Sequence, residues 1–379
     1  MNRAAANGRP FPAAIGRILI IKWSALGDIV LASAAMQDIR QAFPEAELHL
    51  DTLPQNRHLF DADPRFAAVV ALPMRARRQR LSIHRRWLQR VRAAGYDLII
   101  DLQSTDHTRL LVAGLAFGRH RVPARWGLRS GFPYTLSPPA QAGPHPAQRA
   151  RALLARAGLA ARTIRPVLHV PPGMCERVAR LRERHGLVEG RYAILLPGSQ
   201  ARSRLRRWGV ERYAELALLL QRRGIDRIAL IGARDEAEDC ARIIDLVEAR
   251  APGAMVLLDD LAFLEVIPAC AGAACIIAND TGTAHVAAAA GRPLWVICGP
   301  TDPRQSCPLG ARAIQGGFPC ADAYRPTCRF GPDPPCLAAI APTDVLALAL
   351  GEAASVPALR LYEGLATSPA AGAKAGVDS

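Results

Sequence analysis

Aromatic side chains make up only 5% of this chain, so its interior has to be filled by aliphatic residues. Ala, Leu, Val and Arg dominate instead, as where helices pack onto Val/Ile/Leu-rich strands. The first sixteen residues carry Arg3 and Arg9 but no apolar run of signal-peptide length. Nowhere does an apolar stretch approach the ~20 residues of a membrane span. These two absences point to a cytoplasmic protein, at most peripheral to a membrane. Closely spaced cysteine pairs are also missing: Cys307, Cys320, Cys328 and Cys336 fall late, and the spacings between the last three do not match C-x2-C. The nine cysteines are expected to be thiols in a reducing compartment, with no zinc site and no other metal. The dinucleotide fingerprint G-x-G-x-x-G is absent after the first strand.

What is present is length, apolar content and positive charge. With 379 residues, half of them hydrophobic, the chain fits two domains, each able to bury a substantial interior. A formal charge of +15 favours anionic partners: nucleic acid, a membrane surface, phosphates or acidic glycolipids. Short apolar runs alternate with amphipathic stretches. Arg17–Lys22 reads as a buried strand, followed by a helix over 28–43, strands over 47–51 and 67–72, a strand over 96–101 and a helix over 105–117. Gly95 is expected to stop a basic helix. A proline-rich stretch from 137 to 172, with a helix over 147–157, contains the domain junction near 165–175. The rhythm then resumes with strands over 192–196, 227–231, 274–278 and 293–298 and helices over 210–223, 233–249 and 282–290. The Gly/Pro-rich segment 316–335 reads as irregular, and a last helix begins near 343. This order predicts an α/β protein of two doubly wound, mostly parallel sheets with a cleft between them, where ligands bind at the carboxyl ends of strands. The expected division is a flexible 1–15, a first Rossmann-like domain over 16–168, a second over 169–340, a C-terminal helical segment over 341–364 and a disordered tail over 365–379.

Four loops carry candidate chemistry. Residues 279–291 (NDTGTAHVAAAAG) run from a strand into a small-residue helix. There Asp280 or Thr281 can cap the helix, Gly282 lets backbone approach a ligand, Thr283 lies in the same turn, and His285 points to the same place. A capped core helix with a buried histidine is the competing reading. A second loop, PGSQARSRLRRW from 197, offers the Ser199 hydroxyl and an arginine cluster suited to phosphate, or else an exposed basic loop. Glu236, after a third strand, can accept from a ribose hydroxyl or stabilise a helix N-terminus. In the first half, Asp28 follows Trp23-Ser24-Ala25-Leu26-Gly27 at a strand-to-helix turn, as a general base or a plain helix cap. Lys22 and Ser24 flank it and can hold an anionic acceptor. Residues 75–92 (RARRQRLSIHRRWLQRVR) place Leu81, Trp87, Leu88 and Val91 inward and arginines, Arg75, Arg77 and Arg78 among them, outward. The choice is a solvated face or a patch for lipid headgroups or acidic sugars. No zinc-finger, RRM or helix-turn-helix pattern accompanies it, so no nucleic-acid partner is expected.

Taken together, RILIIKWSALGDIVLASAAMQDIRQAFP, YDLIIDLQS and NDTGTAHVAAAAGRPLWVICGPTDP, in this order, resemble glycosyltransferase family 9, the ADP-heptose:lipopolysaccharide heptosyltransferases. The resemblance spans roughly 16–350. It implies a GT-B fold, with acceptor on the first domain and donor on the second. It further implies inverting, metal-independent transfer of a heptose or related sugar from an ADP-sugar, with no cofactor. The acceptor would be the inner core of lipopolysaccharide or a similar acidic glycolipid, reached at the cytoplasmic face of the inner membrane. By the same resemblance Asp28 is the base, Asp280, Thr281, Gly282 and His285 form the pyrophosphate loop, and Glu236 is the ribose acid. Arg206 stands where the family has the Lys of Lys-x-Trp-Pro, and Gly209 replaces that Pro. Two other classes remain: a sugar-nucleotide epimerase or hydrolase of the same fold, and a noncatalytic basic protein that binds membrane surfaces.

Overall fold

The computed structural model describes residues 15–76, 80–199, 205–232, 236–317, 327–331 and 333–364. The first half contains β1 (Arg17–Lys22), α1 (Leu26–Ala42), β2 (Glu47–Thr52), β3 (Ala68–Ala71), α2 (Arg80–Ala94), β4 (Leu98–Asp101), α3 (Asp106–Ala113), β5 (Ala124–Gly127) and α4 (Pro146–Arg156). Its five strands are parallel in the order β3-β2-β1-β4-β5. Alternate residues of β1 serve opposite faces. Ile18 and Ile20 pack with Ile29, Met36 and Ile39 of α1, whereas Leu19 and Ile21 pack with Trp87 and Val91 of α2 and Leu111 of α3. A parallel strand covered on both sides needs such an unbroken apolar run. The second helix ends at Ala94, where Gly95 takes φ +64°, a left-handed conformation that suits glycine. A capping box starts α3: the Thr105 hydroxyl accepts from the Thr108 N–H, and the Thr105 N–H donates to the Thr108 hydroxyl.

The second half adds α5 (Pro172–Arg184), β6 (Tyr192–Leu196), α6 (Val210–Arg222), β7 (Arg227–Leu230), α7 (Ala237–Glu248), β8 (Met255–Leu257), α8 (Val266–Cys270), β9 (Cys275–Asn279) and α9 (Gly282–Ala288). It ends with β10 (Leu294–Cys298), α10 (Pro303–Ser306), β11 (Arg312–Gly316), α11 (Pro335–Ala338), α12 (Pro342–Ala349) and β12 (Leu359–Glu363). The seven strands run β12-β11-β10-β9-β6-β7-β8, and β12 alone is antiparallel. Strand order reverses between β1 and β4 in the first sheet and between β6 and β9 in the second. Loops diverge at such reversals and leave a crevice, so the fold places a ligand site in each half.

The halves meet through α1 and α9, and one apolar cluster runs from Ile20 and Ile29 through Ala284 and Val286 to Ile276. A smaller cluster joins Leu31 and Ala34 of α1 to Ala147 of α4 and to Leu309. His145, ahead of α4, accepts from the Ala147 N–H through Nδ1 and reaches the Cys307 carbonyl with Nε2 at 3.0 Å. The chain crosses between sheets after α4, which packs on α1, and before α5, which packs on α8.

Several expectations need correction. The segment 341–364 is not one helix: α12 stops at Ala349, and Leu359–Glu363 is a strand on β11. Its alternation of Leu359 and Leu361 is the two-residue period of a half-buried strand. On α2, Trp87 and Val91 are buried, but Leu81 is 85% exposed. Short strands β5, β8 and β11 and helix α5 were not expected. The eight cysteines the structure describes are free thiols, while Cys320 lies outside the described residues. So do 1–14, 318–326 and 365–379, on which most of the flexible terminus, part of the irregular segment and the tail fall.

Candidate active site

At the carboxyl end of β1 the loop is pinned from beneath. Asp51, at the end of β2, is fully buried. It accepts from the indole N–H of Trp23 at 3.0 Å, from that of Trp87 at 2.5 Å and from the Arg90 guanidinium at 2.9 Å. The two indoles meet edge to face at 5.5 Å. Burial raises the Asp51 carboxyl to about 6 in spite of these donors. Ser24 is buried, and its carbonyl accepts from Asn56 at 2.8 Å. Lys22 is buried too, and its Nζ donates to the Leu102 carbonyl at 3.1 Å. Burial pulls the Lys22 ammonium down, and the charges of Asp28 and Asp101 oppose that fall. Lys22 therefore ties the β1 loop to the β4 loop across the crevice. The neighbouring Asp101 is held by the Gln103 and Ser104 N–H groups and the Tyr134 hydroxyl.

This scaffold sets the position of Asp28 in the first turn of α1. The N-cap of α1 is Ala25, so Asp28 is not a cap. Its carboxylate is exposed and has no hydrogen-bond or ion-pair partner among the described residues. It borders a pocket between α1 and α4 with Lys22, Leu102 and Leu128. Arg75 is exposed and close enough to act on Lys22. Arg77 and Arg78 lie outside the described residues.

Across the junction, the end of β9 meets two other loops. The buried Asn279 amide accepts from the Trp208 N–H at 3.2 Å and the Tyr213 hydroxyl at 3.1 Å, and donates to the Pro197 carbonyl. It thereby locks the β6 loop and the segment after Arg206 and Arg207 onto β9. Asp280 pairs with Arg206 at 3.4 Å. Thr281 caps α9: its hydroxyl accepts from the Thr283 N–H at 3.0 Å. Ser199 is buried, and Arg207 donates to its carbonyl at 2.9 Å and lies 3.3 Å from its hydroxyl. Arg207 is fixed in turn by Asp239 at 2.6 Å. Glu236 lies over Gly198 so closely that a Cβ there would fall 1.8 Å from its carboxyl carbon. The β6, β7 and β9 loops thus converge on one rim, with Ser199, Arg206, Glu236, Asp280, Thr281, Gly282 and Thr283 together.

The two rims touch. A Cβ on Gly27 would lie 2.8 Å from Cδ2 of His285, and one on Gly282 would lie 3.0 Å from the Leu26 side chain. Each helix N-terminus receives a side chain from the other. His285 is buried, with no hydrogen-bond partner for Nδ1 among the described residues. Burial depresses its imidazole, and Asp280 and Asp28 push the other way. Asp51, Asn279, Arg207 and His145 are the supports that sequence reading missed. Asn279 stood in the motif, and Arg207 beside a candidate; no local pattern marks Asp51 or His145.

Two doubly wound domains with facing strand-end crevices, one rim rich in N–H groups and arginine and the other bearing an unpartnered carboxylate, define a glycosyltransferase of the GT-B type. Residues 84–332 match glycosyltransferase family 9 (heptosyltransferase). The chain belongs to that family. It is 28% identical over 335 residues to lipopolysaccharide heptosyltransferase 1 of Pseudomonas aeruginosa, covering 83% of this chain and 88% of the relative. It is also 28% identical over 317 residues to lipopolysaccharide heptosyltransferase 1 of Escherichia coli K12, covering 76% and 89%. Its fold superposes on E. coli ADP-heptose lipopolysaccharide heptosyltransferase II with a TM-score of 0.65 at 22% identity, over 89% of this chain and 99% of the other. Among the described residues no helix is long and apolar enough to cross a membrane.

Proposed function

We propose that the protein transfers a heptose from an ADP-heptose to the inner core of lipopolysaccharide, with inversion at the anomeric carbon. Residues 16–168 hold the acceptor and 169–340 the donor, at the cytoplasmic face of the inner membrane. Relatives named lipopolysaccharide heptosyltransferase support the choice of sugar and acceptor. The observation that carries the mechanism is Asp28, an unpartnered carboxylate at one rim, set against the arginine and helix N-terminus of the other.

In this mechanism Asp28 takes the proton of an acceptor hydroxyl as its oxygen attacks the anomeric carbon. The bond from that carbon to the β-phosphate oxygen breaks on the opposite face, and ADP leaves. Negative charge gathering on the pyrophosphate is met by Arg206, the Thr281 and Gly282 N–H groups, the positive end of α9 and His285. Ser199 and its loop border the phosphates, and Glu236 accepts from the ribose. Ser24, Arg75, Arg77 and Arg78 serve the acceptor side. Lys22 belongs there as a brace, because its ammonium is spent on Leu102 rather than turned to solvent.

Asp28→Asn removes the base without changing shape. Turnover should fall by at least about a hundredfold, while ADP binding measured by calorimetry stays near wild type. Turnover close to wild type would refute the base assignment. ADP release from ADP-heptose, measured with and without heptose-deficient lipopolysaccharide, tests the reading as a whole. Release only with acceptor supports transfer and release without it indicates hydrolysis; with no release under either condition, a changed ADP-sugar indicates epimerisation and an unchanged one a binding protein.

A further inference from the structure

The charge of +15 is confined to one half of the chain. Residues 16–168 hold 23 Lys and Arg against 10 Asp and Glu, whereas 169–379 hold 23 of each. Of the ten acids, Asp38, Asp51, Asp63 and Asp101 are buried, and none occurs between Asp106 and Glu176.

Within that acid-free stretch the surface is also apolar. Phe117, after α3, is 68% exposed, and Phe132, after β5, is 58% exposed. Their rings pack on each other, in a tilted pair with centroids 5.8 Å apart. Leu110, on the outer side of α3, is 71% exposed. The Phe132 loop is held in place, since its carbonyl accepts from Arg109 at 2.8 Å and that guanidinium lies over the Tyr134 ring at 5.9 Å. Exposed Arg119 and Arg121 follow Phe117 directly, and exposed Arg129, paired with Asp106, precedes Phe132. The neighbouring α2, packed on α3 through Leu88 and Gly114, presents exposed Leu81, Arg85 and Arg86.

Large side chains held in water by an ordered backbone, with guanidinium groups around them, suit an interface that is apolar within and anionic at its rim. Lipid headgroups over acyl chains have that profile. We propose that this face of the first half, centred on Phe117 and Phe132, docks on an anionic bilayer, with the two rings in the headgroup region and the surrounding arginines on lipid phosphates. The inference extends the reading above, in which the acceptor is lipid-anchored, but docking is measured without any sugar.

The test is sedimentation of the full-length protein with vesicles of phosphatidylcholine alone or mixed with phosphatidylglycerol. Wild type should bind the mixed vesicles, should bind the neutral ones far less, and should be released by raised salt. Phe117→Ser with Phe132→Ser should weaken binding by about tenfold or more, and Arg119→Ala with Arg121→Ala should weaken it and flatten its salt dependence. Both double variants should retain the wild-type melting temperature and full ADP release with a delipidated, soluble acceptor. The proposal is overturned if wild type binds neither vesicle or both equally, or if the phenylalanine variant binds as wild type does. Docking without any acceptor-dependent ADP release would overturn the acceptor assignment alone, and transfer without docking would overturn this proposal alone.

Discussion

Asp51 holds two indoles and a guanidinium from a position without solvent, and its titration should report that burial. Its carboxyl is raised from 3.8 to about 6, so the folded chain binds the proton more tightly than the unfolded chain. The resulting stabilisation is complete below about pH 4 and is lost as pH rises through about 6, amounting to about 3 kcal/mol at most. Melting temperatures of wild type and Asp51→Asn, compared from pH 4 to 7, should therefore diverge to the disadvantage of wild type as pH rises. A constant difference would mean that the carboxyl is ionised throughout. Asp51 was not legible in sequence, because its importance depends on Trp87, a residue on another element that local pattern does not bring near. Asp280, Thr281 and His285 were legible, because strand, turn and helix N-terminus follow one another without interruption. Asp28 was half legible: its place could be read, but only the structure distinguishes it from a cap.

The elements that hold these residues were readable in proportion to their burial. The bounds of β1 and β6 match their apolar runs, since a strand covered on both faces leaves an unbroken signal. Strands of three to five residues at the flanks of the sheets, such as β5 and β8, are too short to show a period. Between α1 and α9 the decisive feature is room for the His285 ring over Gly27. Gly27→Ala would put a methyl group 2.8 Å from that ring and force it aside. Alanine also favours the helix by about 1 kcal/mol, which offsets the crowding, so the variant should melt near wild type. Its rate of ADP release should drop by about tenfold or more, as when a positioned group near a reacting centre is displaced. Unchanged release would show that the place of the ring does not matter to turnover.

For the molecule as a whole, the halves are joined by a continuous apolar cluster and by the bond from His145 to Cys307. In His145→Asn the shorter side chain can still cap α4 but does not span to Cys307. Loss of one buried hydrogen bond should cost about 1 kcal/mol. Small-angle scattering should show a larger radius of gyration for this variant without nucleotide, and identical curves would assign the closed arrangement to the α1–α9 contact alone. None of this was legible in sequence, since these contacts join residues of different halves, far apart along the chain.

The reciprocal fit of Leu26 on Gly282 and His285 on Gly27 also bears on modularity. Domains of GT-B enzymes invite exchange between relatives to mix donor and acceptor preferences. In this protein each half carries one knob and one notch, so a transplanted half brings one member of both pairs and leaves the other behind. A chimera would need positions 26, 27, 282 and 285 matched as a set before its substrate preferences could be judged.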